Sequence, residues 1–244
     1  MQDVGETLGR PTLFIVGCGH SGTSLLANMF AAHPDVYIPL RETAAFTTDD
    51  PSLWEAVVTE FIASDRAVLA EKTPGHVRHM DLIRGRTPDP RFVAIVRDPR
   101  DVAASYITRF GSPAPGIERW LTENAIVAAE QDRPDVLVVK YEALIDNPEG
   151  VLAQVCEFCE ITFSPAMLSY HTQERLWFNE TSVTKGSGKM GPQHRALRNW
   201  QINQPIFDGR GKWRGVLDAT TLDMLKTDEA RGLMKHFDYE WEDL

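Results

Sequence analysis

Pro11-Thr-Leu-Phe-Ile-Val-Gly17-Cys-Gly-His-Ser-Gly-Thr-Ser24 is the stretch on which the reading of the chain turns. Its first half is a continuous apolar run without alternation, the pattern of a strand buried on both faces of a parallel sheet. Its second half is rich in glycine and small hydroxyl residues, and then Leu25, Leu26, Met29 and Phe30 follow at helical spacing. A helix is expected to start near Gly22 and to stop at His33-Pro34, because proline disfavours helical backbone in the residue before it. A glycine turn between a buried strand and a helix N-terminus brings backbone N–H groups and the positive helix end to one point. That is a cradle for an anion.

Gly17 and Gly22 have the glycine spacing of a Walker A loop, but Thr23 stands where that loop has its lysine. Nucleoside triphosphatases use the lysine on the β and γ phosphates. Its replacement argues against ATP or GTP hydrolysis and suits a donor with one substituted 5'-phosphate. Taken alone, such a turn can equally do no more than pack a helix on a strand.

Working outward, residues 92–96 and 136–139 repeat the buried-strand pattern, and residues 67–70 are a shorter candidate. Periodicity predicts helices over 50–64, 75–84, 99–110, 117–131 and 148–160, with Pro99 and Pro148 at first-turn positions that tolerate proline. Residues 219–226 and 229–237 are amphipathic. Strands alternating with helices make this an α/β chain, a P-loop NTPase-like parallel sheet flanked by helices on both faces. Residues 1–244 read as a single domain, with a glycine-rich, basic lid or acceptor loop at about 170–216.

Composition narrows the partners. A net charge of -10 disfavours non-specific binding to nucleic acid or to an anionic membrane, while a locally positive pocket for a small anion stays compatible with it. Cys156 and Cys159 have CxxC spacing but lie in an apolar helical pattern, so core packing is expected. The sparse, odd cysteine count, the acidic first ten residues and the short first apolar run lead us to expect a cytoplasmic protein with no signal peptide or membrane span. No cluster with metal-ligand spacing is visible.

A second motif changes what the first one means. Val93-Ala-Ile-Val-Arg-Asp-Pro-Arg-Asp-Val-Ala-Ala-Ser105 puts Arg97 at the carboxyl end of a strand and Ser105 two turns into the next helix. Ligands of open parallel sheets bind at that edge. Arginine and serine can share a phosphate there. An ion pair with Asp98 or Asp101 is the competing role for Arg97.

Together the two segments resemble the sulfotransferases that use 3'-phosphoadenosine 5'-phosphosulfate (PAPS). His20-Ser-Gly-Thr-Ser24 matches the family's K/R-S-G-T-T/S loop except at His20, and Arg97 through Ser105 matches R-[ND]-P-[KR]-D-x-x-x-S. Val138-Val-Lys-Tyr-Glu-Ala-Leu144 with Asn147-Pro148 is similar to a V-x-R/K-Y-E-x-L strand and turn, and Gly211-Lys-Trp-Arg-Gly215 to a late G-x-W-[RK] segment. The resemblance implies sulfuryl transfer from PAPS, leaving the nucleotide PAP. The acceptor would be a hydroxyl or amine of a small molecule, carbohydrate or peptide, and no metal would be needed. It implies that Gly19, His20, Ser21, Gly22, Thr23 and Ser24 hold the 5'-phosphosulfate, and that Arg97 and Ser105 hold the 3'-phosphate. The family also closes a late basic glycine loop on the 3'-phosphate, for which Lys185, Gly186 and Lys189 are the candidates.

The same resemblance nominates the catalytic groups. The segment from His33 to Thr43 is similar to the H-P-x-[IV]-x(n)-[KR]-E segment of the glutamate-base branch, which acts on protein tyrosine and on sugars, so Glu42 is the expected base. Without the resemblance Glu42 would be a surface carboxylate or a partner of Arg41. Lys72, at a strand end in Glu71-Lys-Thr-Pro74, is the expected cation at the leaving oxygen, compensating for His20. Histidine is charged only part of the time near neutral pH, so His20 is expected as a hydrogen-bond donor or a reserve base. The competing readings are a small-molecule P-loop kinase and a catalytically silent PAP-binding module.

Overall fold

The computed structural model describes residues 11–186 and 192–241. The elements run β1 (Thr12–Gly17), α1 (Thr23–Phe30), β2 (Val36–Tyr37), α2 (Pro51–Ala63), β3 (Val68–Lys72), a 3-10 turn (Pro74–His79), α3 (Met80–Arg84), β4 (Pro90–Val96), α4 (Pro99–Phe110), α5 (Ala114–Glu130), β5 (Val136–Lys140), α6 (Tyr141–Asp146) and α7 (Pro148–Phe158). Short 3-10 turns lead to α8 (Pro192–Ile202), then α9 (Ala219–Asp223) and α10 (Asp228–His236). The sheet is parallel throughout, in the order β2-β3-β1-β4-β5.

Alternation along β1 divides the core. Leu13 and Ile15 face α1 and α7, packing with Leu26, Phe30, Leu152 and Val155. Phe14 and Val16 face the other way, toward Phe61 of α2, Trp120 and Val127 of α5 and Met234 of α10. Successive strand residues point to opposite faces, so a strand covered on both must be apolar at every position, as β1 is. Cys156 and Cys159 are buried, unbridged members of the first face.

The strand order positions the site. From β1 the chain crosses to β2 and β3 on one side, then to β4 and β5 on the other. The crevice beyond the carboxyl end of β1 is therefore the topological switch point, where such sheets bind ligands. Three local expectations are corrected. Residues 75–84 are a 3-10 turn followed by a five-residue helix; Gly75 weakens a regular helical turn there. The turn expected after β5 is the helix α6. The long loop expected at about 170–216 contains the eleven-residue α8.

Candidate functional site

The loop after β1 turns through three residues in left-handed backbone, Gly17 (φ 125°), His20 (φ 71°) and Gly22 (φ 105°). Gly22 caps α1. A Cβ there would lie 2.7 Å from the Tyr141 ring, so only glycine serves. The opening turn of α1 then faces a cavity of about 390 Å³, with Gly19, His20, Gly22, Thr23 and Ser24 in its wall. The first N–H groups of a helix have no intrahelical partner and carry its positive end. Ser21, also expected at the phosphosulfate, is instead fully buried and does not line the cavity.

Each fixed position of the second motif has a separate structural task. Asp98 caps α4, its carboxylate accepting from the Arg100 N–H at 2.8 Å. Arg100 pairs with Asp98 at 2.7 Å and lies over the Trp213 ring. Asp101 is buried and accepts from the backbone of Gly211 at 2.9 Å and of Trp213 at 3.2 Å, tying the late segment to α4. Burial raises the Asp101 pKa, opposed by Arg97 and by these N–H donors. Arg97 is thereby left for the cavity wall. It stacks on Tyr141 at 4.2 Å and donates to the carbonyls of His20 at 3.2 Å and Gly209 at 2.7 Å. Asp101 is 3.9 Å from the guanidinium, and the buried Nε of Arg97 has no hydrogen-bond partner among the described residues. His20 Nδ1 lies 2.8 Å from Ser105 Oγ, which joins the two motifs.

On the β3 side, Arg41 pairs with Glu60 at 2.8 Å and leaves Glu42 to turn toward the cavity. The Thr43 N–H donates to Thr73 Oγ1 at 3.1 Å and fixes that segment to the end of β3. Lys72 Nζ meets Glu42 Oε1 at 2.8 Å; the lysine side chain is 0% exposed and the glutamate 38%. Arg198 of α8 meets the same oxygen at 3.1 Å. Partial burial alone would raise the Glu42 pKa, but Lys72 and Arg198 outweigh it and lower it to about 2. Burial pulls the Lys72 ammonium down against the attraction of Glu42.

The expected residues thus divide. Loop residues, Glu42, Arg97 and Ser105 share one cavity. Lys72 stands behind Glu42 in the core rather than in the wall, because its ammonium is held among Glu42, Trp177 and Phe178. Lys185 lies over Trp200 and Gly186 packs on α8, so neither closes on the cavity; Lys189 lies outside the described residues. The glycine segment that meets Arg97 is the one at Gly209.

Three arginines in the wall were missed: Arg109, Arg119 and Arg198. Arg109 follows Ser105 by four residues, a spacing that puts both on one helix face and was readable. Burial, with Arg198 and Arg97 nearby, lowers its pKa to about 10. Arg119 pairs with the fully buried Glu123 at 3.0 Å. Arg198 was hidden by the reading of α8 as loop. Among the described residues no group of three or more His, Cys, Asp or Glu side chains is placed to hold a metal. None of the described helices is long and apolar enough to cross a membrane.

The sequence profile of the sulfotransferase family matches residues 45–165. A Caenorhabditis briggsae protein provisionally named protein-tyrosine sulfotransferase is 25% identical over 225 residues, covering 77% of this chain and 80% of that protein. The chain spans 28% to 64% of the length of other curated relatives it matches. Among solved structures, the sulfotransferase domain of the Synechococcus PCC 7002 olefin synthase superposes with a TM-score of 0.64 at 20% identity, over 95% of this chain and 96% of that one. A mouse sulfotransferase complexed with PAP superposes with a TM-score of 0.55 at 17% identity, over 97% and 93%. At these identities the superpositions establish the shared fold.

Proposed function

We propose that this chain, which the sulfotransferase family profile matches over residues 45–165, transfers a sulfuryl group from PAPS to a hydroxyl or amine of its acceptor, with Glu42 as the base. The observation that carries this reading is a single cavity joining the glycine loop, Arg97 and Ser105 to a carboxylate. The cavity falls within the usual range for small ligands, ~300–1,000 Å³. Its wall fits a polyanionic nucleotide: a helix N-terminus, several arginines and a buried guanidinium nitrogen without a hydrogen-bond partner among the described residues.

When bound, the donor supplies a sulfuryl group on a phosphate oxygen that leaves in line with the attacking atom, by analogy with phosphoryl transfer. The backbone of the loop and the hydroxyls of Thr23 and Ser24 hold the 5'-phosphosulfate. Arg97 and Ser105 hold the 3'-phosphate, where a charged donor and a hydroxyl give both strength and direction. Glu42 takes the proton from the acceptor, and Lys72, buried behind it, keeps it ionised and oriented. His20 bridges the two phosphate sites through its backbone turn and its contact with Ser105, a positioning role in place of the family's lysine or arginine. The acceptor is a small molecule, carbohydrate or peptide.

Thermal shift with PAP against ATP plus magnesium tests the donor. PAP at 100 times its dissociation constant should add about 2.7 kcal/mol of stability; a larger shift with ATP would sink the reading. Mass spectrometry of an acceptor panel incubated with PAPS tests the reaction.

A further inference from the structure

We propose that Arg198 exchanges Glu42 for the sulfate of the bound donor, so that arrival of the donor releases the base. The inference rests on the sulfotransferase reading above. It starts from one nitrogen. Arg198 Nη2 lies 3.1 Å from Glu42 Oε1 and 3.3 Å from Ser24 Oγ. It therefore stands between the carboxylate proposed as base and a hydroxyl proposed to hold the phosphosulfate.

The surroundings keep it there and allow the exchange. Phe178, in left-handed backbone at φ 62°, puts its ring 4.2 Å from the guanidinium of Arg198 and 5.0 Å from the ammonium of Lys72. The Phe178 N–H donates to the Leu40 carbonyl at 2.7 Å, which fixes this turn against the chain that leads to Glu42. A flat guanidinium on an aromatic face can pivot in its plane without losing the stacking contact. Both partners already lie within reach of one nitrogen, so a pivot of the side chain suffices and α8 need not move.

The electrostatics give the exchange a direction. Glu42 faces Lys72 from β3 and Arg198 from α8, and both cations weaken it as a base. Lys72 has no exposed surface and cannot leave. Arg198 is partly exposed and is opposed by the charges of Lys72 and Arg109. A sulfate at Ser24 attracts it toward the loop, and Glu42 is then left with Lys72 alone. The base is thus held weak in the empty site and strengthened when there is something to transfer.

The experiment compares PAPS with PAP, which lacks the sulfate. Calorimetry should show Arg198→Ala weakening PAPS about tenfold or more and PAP about twofold or less, since a charge-assisted bond to sulfate is lost from one ligand only. Arg198→Gln keeps the length of the side chain and should give the same contrast if the alanine variant folds poorly. A double-mutant cycle of Arg198→Ala with Glu42→Gln, read by thermal stability, should show coupling in the PAP-loaded protein that shrinks in the PAPS-loaded one. Equal losses for both nucleotides, or coupling unchanged by PAPS, overturn the exchange while leaving the sulfotransferase reading intact. Failure of the wild-type protein to bind either nucleotide overturns both.

Discussion

Arg97 and Arg198 reach the same cavity from unlike supports. Arg97 leaves the end of β4, a strand laddered to β1 on one side and β5 on the other, and the indole N–H of Trp120 donates to its backbone carbonyl at 2.8 Å. Arg198 sits on α8, which is tied to the body through asparagine side chains. Asn199 accepts from the Trp177 N–H at 2.8 Å and donates to the Ser182 carbonyl at 3.0 Å. Asn28 of α1 donates to the Ile202 carbonyl at 2.6 Å and accepts from the Trp177 indole at 2.9 Å. A ladder shares its load among many bonds, whereas each asparagine clamp is a single point of failure. The sheet edge is built to hold a ligand in a fixed register. The α8 side is built to be set by a few contacts.

Glu42 is where the two supports meet, and it carries the largest expected effect. Glu42→Gln should slow transfer ~10²–10⁴-fold, the usual cost of losing a general base. PAP affinity should stay nearly intact, because the 3'-phosphate contacts lie on the β4 side. The rate is read from sulfated product and the affinity by calorimetry. Near-wild-type turnover on an identified acceptor would place the base elsewhere, with His20 the next candidate.

Arg97→Ala tests the sheet-edge half. Losing a charge-assisted bond to phosphate should cost PAP roughly 1.5–3 kcal/mol. Adenosine 5'-phosphosulfate, which has no 3'-phosphate, should be almost unaffected. Equal losses would mean that Arg97 supports the loop through the His20 carbonyl rather than holding the 3'-phosphate.

Asn199→Ala tests the other half. It leaves the Trp177 N–H and the Ser182 carbonyl without this partner, and should destabilise by about 1–3 kcal/mol. Amide exchange at Trp177 should accelerate more than at Leu13 or Ile15 of β1. Uniform acceleration would show that α8 and the sheet open as one unit, and the contrast between the two supports would disappear.

The same contrast explains what the sequence could show. β1 and β4 were legible because each is an apolar run whose burial on two faces demands that composition, and β5, an edge strand that is only partly buried, keeps the same apolar pattern. α4 was legible from Pro99 to about Phe110, since Pro99 opens it, and the structure adds Asp98 as its cap and Gly111 closing it in left-handed backbone. In these cases the instruction lies within a few residues of the structure it specifies. α8 carries Arg195, Arg198, Asn199 and Gln201 among its polar residues, and its apolar face is narrow. Its anchoring partners, Asn28, Trp177 and Ser182, are separated from it along the chain. No local rule announces a helix held by buried asparagine bonds. The glycines at 186, 209 and 211 favoured a loop reading, and only Gly209 and Gly211 stand near the Arg97 side of the site. Lys72 was legible as a strand-end cation but not as a buried one, because burial depended on Trp177 and Phe178 from that same late segment.

The smallest expected effect concerns pH and isolates the pair at the junction. The Glu42 pKa is depressed in the folded protein to about 2 from an ordinary 4.5. A depressed carboxylate stabilises the fold above its unfolded pKa, and that contribution is lost as the pH falls through the interval between the two values. Wild type should therefore lose its advantage over Glu42→Gln between about pH 5 and pH 2. The carboxylate is 38% exposed, so solvent screening limits the effect to about 1 kcal/mol or less. Asp101 contributes a slope of opposite sign, because burial raises its pKa and its ionised form is the one penalised by folding. Both proteins contain Asp101, so its slope cancels in the difference between their urea-unfolding curves measured from pH 3.5 to pH 7. A difference that shrinks on acidification assigns the depression to the contacts with Lys72 and Arg198. A difference constant across that range would mean that neither cation holds the carboxylate in solution, and the meeting of the two supports at Glu42 would be a matter of proximity without energy.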